Sequence, residues 1–243
     1  MEEVEYEQMY RMEDQHWYFA GKRNLVMSLL ADHLVKDKPQ ILDAGCGTGR
    51  TLAELDRHYD VVGMEPNGDA LSYASNRGMK RLVSGSLDQL PFTNEVFDAV
   101  TVLDVLEHCD NDCRAMAEIE RVLVSEGLLI VTVPSYQWLW SAHDEALHHR
   151  RRYTKTSLLM LLEQNGFIVN KISYFNTFVF PLVAIRRLVS KVLKRDSGTA
   201  DTDAMPPAFV NSTLYGLQSL ERACIGLFNF PFGVSLVCVA RKK

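Results

Sequence analysis

The run Ile41-Leu42-Asp43-Ala44-Gly45-Cys46-Gly47-Thr48-Gly49-Arg50 constrains the fold more than any other stretch of the chain. An apolar segment runs straight into glycines at every second position. Without a Cβ, glycine lets backbone approach a ligand closely, and a helix N-terminus behind it presents free N–H groups. The stretch therefore reads as the strand, turn and helix start of a βα unit. Its spacing is Gly-x-Gly-x-Gly, whereas a dinucleotide fingerprint needs Gly-x-Gly-x-x-Gly with a small third position. Arg50 stands where that last glycine would be, so a pyrophosphate fits poorly and a smaller group better. Asp43 puts a carboxylate beside the loop, which repels phosphate and suits an amino-bearing ligand. Glu65 ends the next strand about 20 residues on, the place of an acid that accepts hydrogen bonds from ribose hydroxyls. A nucleoside carrying an amino acid satisfies both.

From Pro39 to Val133, β-rich runs alternate with helix-period stretches, the pattern of a parallel sheet with crossover helices. The expected strands are Gln40 to Asp43, Asp60 to Glu65, Lys80 to Ser84, Phe97 to Leu103 and Gly127 to Val133. Asn67 is placed as an N-cap with Leu71 and Ala74 facing inward and Gly78 past the end, and Asp112 opens a helix carrying Ala115, Ile119 and Val122. Five strands in this order demand a doubly wound sheet. An amphipathic helix is expected over Lys22 to Lys36, after the aromatic segment His16-Trp17-Tyr18-Phe19. Beyond the alternating region, Thr156 caps a helix that stops at Gly166, and Phe167 to Tyr174 has strand character. An apolar, then basic stretch runs from Phe175 to Lys194, a flexible linker from Arg195 to Pro207, a helix over Phe209 to Phe228, and a last strand over Val234 to Arg241.

Composition narrows the function classes. Of 243 residues 47% are hydrophobic and 23% charged, which excludes disorder and collagen and allows one large core. The net charge of -5 argues against DNA as a partner, although a local basic patch can still meet RNA. Five cysteines without a Cys-x-x-Cys, and an N-terminus without an apolar signal core, read as reduced thiols in a cytoplasmic protein. No apolar run is long enough for a conventional membrane span.

The chain resembles the class I S-adenosylmethionine-dependent methyltransferases, in particular the small-molecule group related to the ubiquinone and menaquinone enzymes. The resemblance rests on DAGCGTG, the Glu65 strand end, SGSLDQLPF (84–92), FDAVTVLDVLEH (97–108) and RVLVSEGLLIVTVP (121–134). It implies a single α/β domain with a seven-stranded, mostly parallel, doubly wound sheet and an antiparallel last strand. Residues 1–38 would cover the cofactor-binding core (39–174), and residues 175–233 would form a helical lid insertion before the final strand (234–243). By motif position, S-adenosylmethionine would lie against Asp43, Gly45, Cys46, Gly47, Gly49, Glu65, Pro66, Ser86, Leu87 and Leu103, with Trp17 beside it. Relatives commonly have Asp where this chain has Ser86, and Asp88 lies two positions out of register.

Three further features bear on the acceptor. The segment Asp104-Val105-Leu106-Glu107-His108 begins where the fourth strand ends, and His108 suits a general base acting on a hydroxyl. His143 and His149 are further catalytic candidates, close to the Arg150-Arg151-Arg152 run, whose guanidinium groups could hold a phosphate or carboxylate. The spacing acid-x-x-Glu-His over Asp104, Glu107 and His108, with His149 downstream, resembles the divalent-metal set of some ubiquinone-pathway O-methyltransferases and small-RNA 2′-O-methyltransferases; metal-free relatives carry the same spacing. The region around His16 to Arg23 and Trp140 to Tyr153 resembles a bacterial subgroup found alongside polyprenyl-linked sugar and cell-surface polysaccharide enzymes. Arg186, Arg187, Lys191, Lys194 and Arg195 suit a helix lying on a lipid surface or closing over a greasy substrate, and a dimer interface explains the same pattern. The expected function is methyl transfer to a small-molecule, lipid- or sugar-linked acceptor, with oxygen the first choice of atom. A metal-assisted RNA 2′-O-methyltransferase and a non-catalytic S-adenosylmethionine-binding partner are the alternatives. The chain would act as a monomer or homodimer, with peripheral membrane contact left open.

Overall fold

The computed structural model describes residues 3–193 and 204–243. Seven strands form one sheet: β1 (Gln40–Ala44), β2 (Asp60–Glu65), β3 (Leu82–Ser84), β4 (Phe97–Leu103), β5 (Leu123–Pro134), β6 (Phe167–Phe175) and β7 (Ser235–Lys242), in the order β3-β2-β1-β4-β5-β7-β6. The first five pair in parallel, and β7 runs antiparallel between β5 and β6. This is the doubly wound, seven-stranded architecture with an antiparallel last strand that the resemblance implies. The order reverses between β1 and β4, so their carboxyl ends border the crevice where open α/β sheets bind ligands.

Neighbouring residues on each strand supply opposite faces, as a sheet covered on both sides requires. Leu42, Val100 and Leu129 pack with Met116 and Ile119 of α5 (Asp112–Val122) and Leu158 and Leu162 of α7 (Lys155–Gln164). Ile41, Ala99, Ile130 and Val239 pack on the other face with Val26 and Leu30 of α2 (Trp17–His33) and Leu52 of α3 (Arg50–Leu55). The helix α4 (Gly68–Asn76) opens with Asn67 Oδ1 accepting from the amides of Asp69 and Ala70. Between β6 and β7 lie α8 (Phe180–Leu193) and α9 (Ala208–Leu227), and α9 rests on α2 through Asn24 with Tyr215 and Trp17 with Asn211. The linker read over 195–207 falls mostly on residues 195–203, with Lys194 and Arg195 also outside the described residues.

Several boundaries differ from the sequence reading, each for a local reason. The helix expected from Lys22 starts at Trp17, because His16 Nδ1 accepts the Tyr18 amide as an N-cap, and it ends at His33 where Leu34 leaves helical geometry. Thr154, not Thr156, caps α7: its hydroxyl accepts from Ser157 N while its own amide donates to Ser157 Oγ. β5 begins at Leu123 because Phe97 pairs with Leu123 ahead of a bulge, and β3 is only Leu82–Ser84, an edge strand against Gly63 to Glu65. An unexpected helix, α1 (Glu3–Met12), precedes α2, and a short helix, α6 (Ala142–Ala146), lies between β5 and α7.

Phe167, at the start of β6, is fully buried. Phe167→Ala should cost about 3–5 kcal/mol of stability, read as a lower urea midpoint with an unchanged slope; a loss below about 1 kcal/mol would show that the strand does not depend on this packing.

Candidate active site

The glycine loop stands at the carboxyl end of β1. Gly45, Gly47 and Gly49 have φ of 85°, 53° and 84°, all in the region that disfavours a side chain. A Cβ on Gly45 would sit 2.4 Å from Val105 Cγ2, and one on Gly49 2.6 Å from Ala74 Cβ. The loop is thus wedged between the turn after β4 and the helix after β2. At Gly47 only Met9 Cε, at 2.9 Å, lies within 4 Å of the Cβ position. The backbone there is the approachable part of the loop, the cradle a small amino-acid moiety needs.

Four carboxylates gather at this edge of the sheet, each neutralised differently. Asp43 is buried beneath the loop and accepts one hydrogen bond from Thr101 Oγ1 at 2.7 Å. Burial pushes its carboxyl up to about 6, against the opposing Thr101 bond. Glu65 Oε2 accepts from the Gly47 amide at 3.1 Å, and Oε1 from the Asn67 amide and from Tyr6 Oη of α1, both at 3.2 Å. Burial raises its carboxyl too, with those amides opposing. Asp104 has φ +55° and accepts from Lys22 Nζ at 2.5 Å, Tyr18 Oη at 3.1 Å and Thr132 Oγ1 at 2.8 Å. Burial works against its ionisation, but the Lys22 ammonium and these bonds outweigh it and hold the carboxyl below its ordinary range. Glu107 is fully buried and neither oxygen accepts a hydrogen bond from another residue. Burial, then the charge on Asp104, pushes its carboxyl well up.

The predicted histidines come together. The His108 and His149 rings lie 4.7 Å apart edge to face, and His143 and His149 6.0 Å apart. His149 Nδ1 lies 2.9 Å from Asp144 Oδ1, and Arg152 grips both oxygens of the same fully buried carboxylate. Burial and then the neighbouring His149 push His108 down to about 4, so its imidazole is neutral at physiological pH.

The arginine run does other work than the phosphate contact read from its sequence. Arg150 pairs with Asp110 and donates to the His108 carbonyl, Arg151 pairs with Asp112 and donates to the carbonyls of Cys109 and Asp110, and Arg152 holds Asp144 and the Ser135 carbonyl. Arg150 and Arg151 clamp the turn after β4 to the 135–153 segment, and Arg152 ties that segment to itself through Asp144 and Ser135, so that together they seat His149 beside His108.

The remaining sequence-predicted residues separate. Pro66 and Ser86 are exposed, Leu87 is buried in the core, and Leu103 is half-buried at the end of β4. Trp17 lines a cavity of about 180 Å³ together with His16, Tyr18, His143, Arg152, Asn176, Val183 and Arg187. Sequence reasoning missed α1, whose Tyr6 and Met9 reach Glu65 and Gly47, and Asn176, a buried residue at φ +59° whose Nδ2 has no partner among the described residues. Asn176 follows an aromatic strand, and a lone Asn before a helix was the available signal.

Residues 42–131 match the family described as a methyltransferase domain. Over these residues the chain carries a class I S-adenosylmethionine-dependent methyltransferase domain. An uncharacterized protein of Methanocaldococcus jannaschii is 37% identical over 108 residues, 44% of this chain and 41% of its own length. The human "Probable tRNA methyltransferase 9B" is 30% identical over 140 residues, covering 56% of this chain and 29% of that protein. The malonyl-[acyl-carrier protein] O-methyltransferase of Herminiimonas arsenicoxydans is 35% identical over 117 residues, 46% and 44% of the two chains. The chain thus spans less than half the length of these curated relatives. Among solved structures, a Thermotoga maritima SAM-dependent methyltransferase superposes over 99% of this chain and 96% of its own with a TM-score of 0.62 at 17% identity. A Haloferax volcanii methyltransferase solved with the Trm112 activator gives 0.61 over 95% and 92%, also at 17%. Both likenesses are of fold. S-adenosylmethionine is the methyl donor the family implies, and a glycine loop at the carboxyl end of β1, with the Glu65 carboxylate beside the Gly47 amide, fits that molecule.

The raised Asp43 carboxyl has a consequence for stability. Its ordinary value is about 3.9, so between about pH 4 and 6 the folded state binds more protons than the unfolded one, and stability falls as pH rises through that window. Asp43→Asn removes this dependence. Relative to the variant, the wild type should lose on the order of 2–3 kcal/mol between pH 4 and 6 and nothing further above it; parallel profiles in chemical denaturation would refute the assignment.

Proposed function

We propose that this protein transfers the methyl group of S-adenosylmethionine to a hydroxyl oxygen of an amphiphilic, anionic acceptor that enters beneath α8. The observation that carries the acceptor class is the cavity lined by Trp17, Pro134, Val179, Val183 and Val234 on its apolar side and by Arg187, Arg152, His143 and Asn176, whose Nδ2 has no partner among the described residues, on its polar side. A mostly apolar pocket with a few convergent polar groups orients a greasy substrate by its head. Above it α8 turns Leu182 and Ile185 outward, 69% and 61% exposed, with Leu188 and Val189 beside them and Arg186 and Lys191 on the same helix. That pairing of exposed apolar and basic residues suits a lid resting on an anionic lipid surface. No helix among the described residues is long and apolar enough to cross a membrane.

Bound against the glycine loop, S-adenosylmethionine supplies an activated methyl carbon on a sulfonium. The chain then needs to hold the cofactor, aim the acceptor oxygen in line and take its proton. Gly45, Gly47 and Gly49 shape the loop for the methionine end, and Glu65 offers its carboxylate to the ribose. Asp43 lies beneath the loop, and Pro66, Ser86, Leu87 and Leu103 flank the remainder. The neutral His108, with His143 and His149 near it, serves as the proton acceptor. Helix α1 closes the cofactor side, since Tyr6 already occupies one oxygen of Glu65.

The named tRNA relatives make an RNA acceptor the second reading. The engagement of Arg150, Arg151 and Arg152 with this chain's own acids and carbonyls weighs against it.

Gly47→Val forces a β-branched side chain to φ +53° against Met9, and should lower S-adenosylhomocysteine affinity in calorimetry by at least about tenfold; unchanged affinity would remove the glycine loop from the cofactor site. For the acceptor, cell extract incubated with methyl-labelled S-adenosylmethionine should give label in the organic phase that survives mild base, as an ether does. Asn176→Leu should cut that labelling about tenfold at unchanged cofactor affinity. Label in the RNA fraction, or released by base, would overturn the reading.

A further inference from the structure

Helix α9 is amphipathic in the opposite sense from an ordinary surface helix. A helix on a globular core turns its apolar stripe inward and its polar residues to water. The residues α9 buries include Gln218, whose Nε2 donates to Asn176 Oδ1, and Glu221, whose carboxylate accepts the Thr177 amide. Outward it turns Phe209, Thr213, Gly216, Leu220, Ala223 and Leu227. Phe209 and Leu227 are 82% and 86% exposed at the two ends of this row, and Leu220 between them is 55% exposed. The helix carries only two charged residues, Glu221 and Arg222, and neither belongs to the row. With Val210 and Leu217 alongside and Phe228 at its end, the row presents an apolar area of the order of the roughly 800 Å² that each partner of a stable pair buries. An exposed apolar patch of that size marks a surface that something covers.

Spacing and side-chain size identify the cover. The row advances by four, three, four, three and four residues, the alternation of a seam that packs against another helix. Set antiparallel to a second copy about the position of Gln218, the row also matches itself: Phe209 meets Leu227, Thr213 meets Ala223, and Gly216 meets Leu220. In the middle layers a large side chain thus faces a small one, and Leu220 fills the hollow that Gly216 leaves. A parallel pair would lay Gly216 on Gly216 and leave that hollow empty. Residue i meeting j while j meets i is what a two-fold interface requires. An anionic lipid surface instead calls for cations beside the apolar residues, and the row has none; Arg186 and Lys191 lie on α8. We propose that the outward face of α9 is the interface of a homodimer, in which two copies of this helix pack antiparallel across a two-fold axis. The pairing depends neither on the acceptor nor on the methyl donor.

Analytical ultracentrifugation of the untagged full chain at micromolar concentration should give twice the mass of one chain. Leu220→Glu sets a carboxylate against Gly216 in both halves of the seam and should weaken the dimer at least about hundredfold, while the far-UV spectrum and S-adenosylhomocysteine affinity stay at wild-type values. Crosslinking uses a Cys113→Ser, Cys224→Ser background, because Cys113 is exposed and Cys224 lies half-buried on α9 itself. There the double variant Thr213→Cys, Ala223→Cys should form a disulfide-linked dimer on mild oxidation, and neither single variant should. If Leu220→Glu does not fold, the cysteine variants decide alone. A monomeric wild type, a Leu220→Glu chain that dimerises as the wild type does, a double variant that does not crosslink, or a disulfide formed by either single variant would overturn the proposal. So would a single chain that floats with vesicles of equimolar phosphatidylcholine and phosphatidylglycerol and no longer does so as Leu220→Glu, an outcome that would make this face a membrane contact.

Discussion

The site is organised by the cost of burying negative charge at the carboxyl edge of a parallel sheet. Strand order brings the ends of β1, β2 and β4 together there, and the sequence places Asp43, Glu65 and Asp104 on or just after those ends, with Glu107 one turn further on. Each acid must be answered locally. Thr101 is fully buried so that its hydroxyl serves Asp43; Lys22 is drawn from α2 across the top of the sheet to serve Asp104; backbone amides from the glycine loop and from Asn67 serve Glu65. The position of α2 follows from this. A buried ion pair is weak evidence for net stability, but breaking one strands the other charge at a cost of about 3–5 kcal/mol. Asp104 therefore fixes where α2 crosses, and α2 in turn carries Trp17 and Tyr18 to the cavity that both line.

Much of this was legible in the chain, and the division between what was and what was not follows range of interaction. The β2 and β4 strands read directly because they are buried on both faces and bounded by turn residues, so local pattern and tertiary role agree. The glycine loop read correctly because its spacing is itself the geometric requirement. Helix α1 did not read, since its residues are mostly polar and its docking rests on Tyr6 reaching Glu65, 59 positions away. The Arg150-Arg151-Arg152 run misled for the same reason. Three adjacent cations look like an anion site until the fold supplies Asp110, Asp112 and Asp144 as their partners. Charge runs in a sequence show what must be neutralised, never by what.

The arginine clamp and the histidine cluster are two sides of one device. By tying the turn after β4 to the 135–153 segment, the clamp brings His149 to His108 across about forty residues of chain. The same Arg152 that anchors Asp144 also lines the acceptor cavity. Electrostatic support for the histidines and recognition of a polar head are thus not independent: a group that drew Arg152 away from Asp144 would loosen His149.

That coupling argues for an acceptor whose charge is met elsewhere in the cavity, and the fold provides the place. Arg187 is 6% exposed on a helix whose other face is open to solvent, so its burial is a choice of side against the pull of hydration. It lines the cavity from α8, as Arg152 does from the 135–153 segment. In the proposed reading, an acceptor entering beneath α8 with its anionic group toward Arg187 would keep its apolar part against Val179 and Val183 and present its hydroxyl toward the sheet edge. The acid–arginine clamp would then stay intact, and the geometry around His108 would be left undisturbed for the proton removal proposed for it.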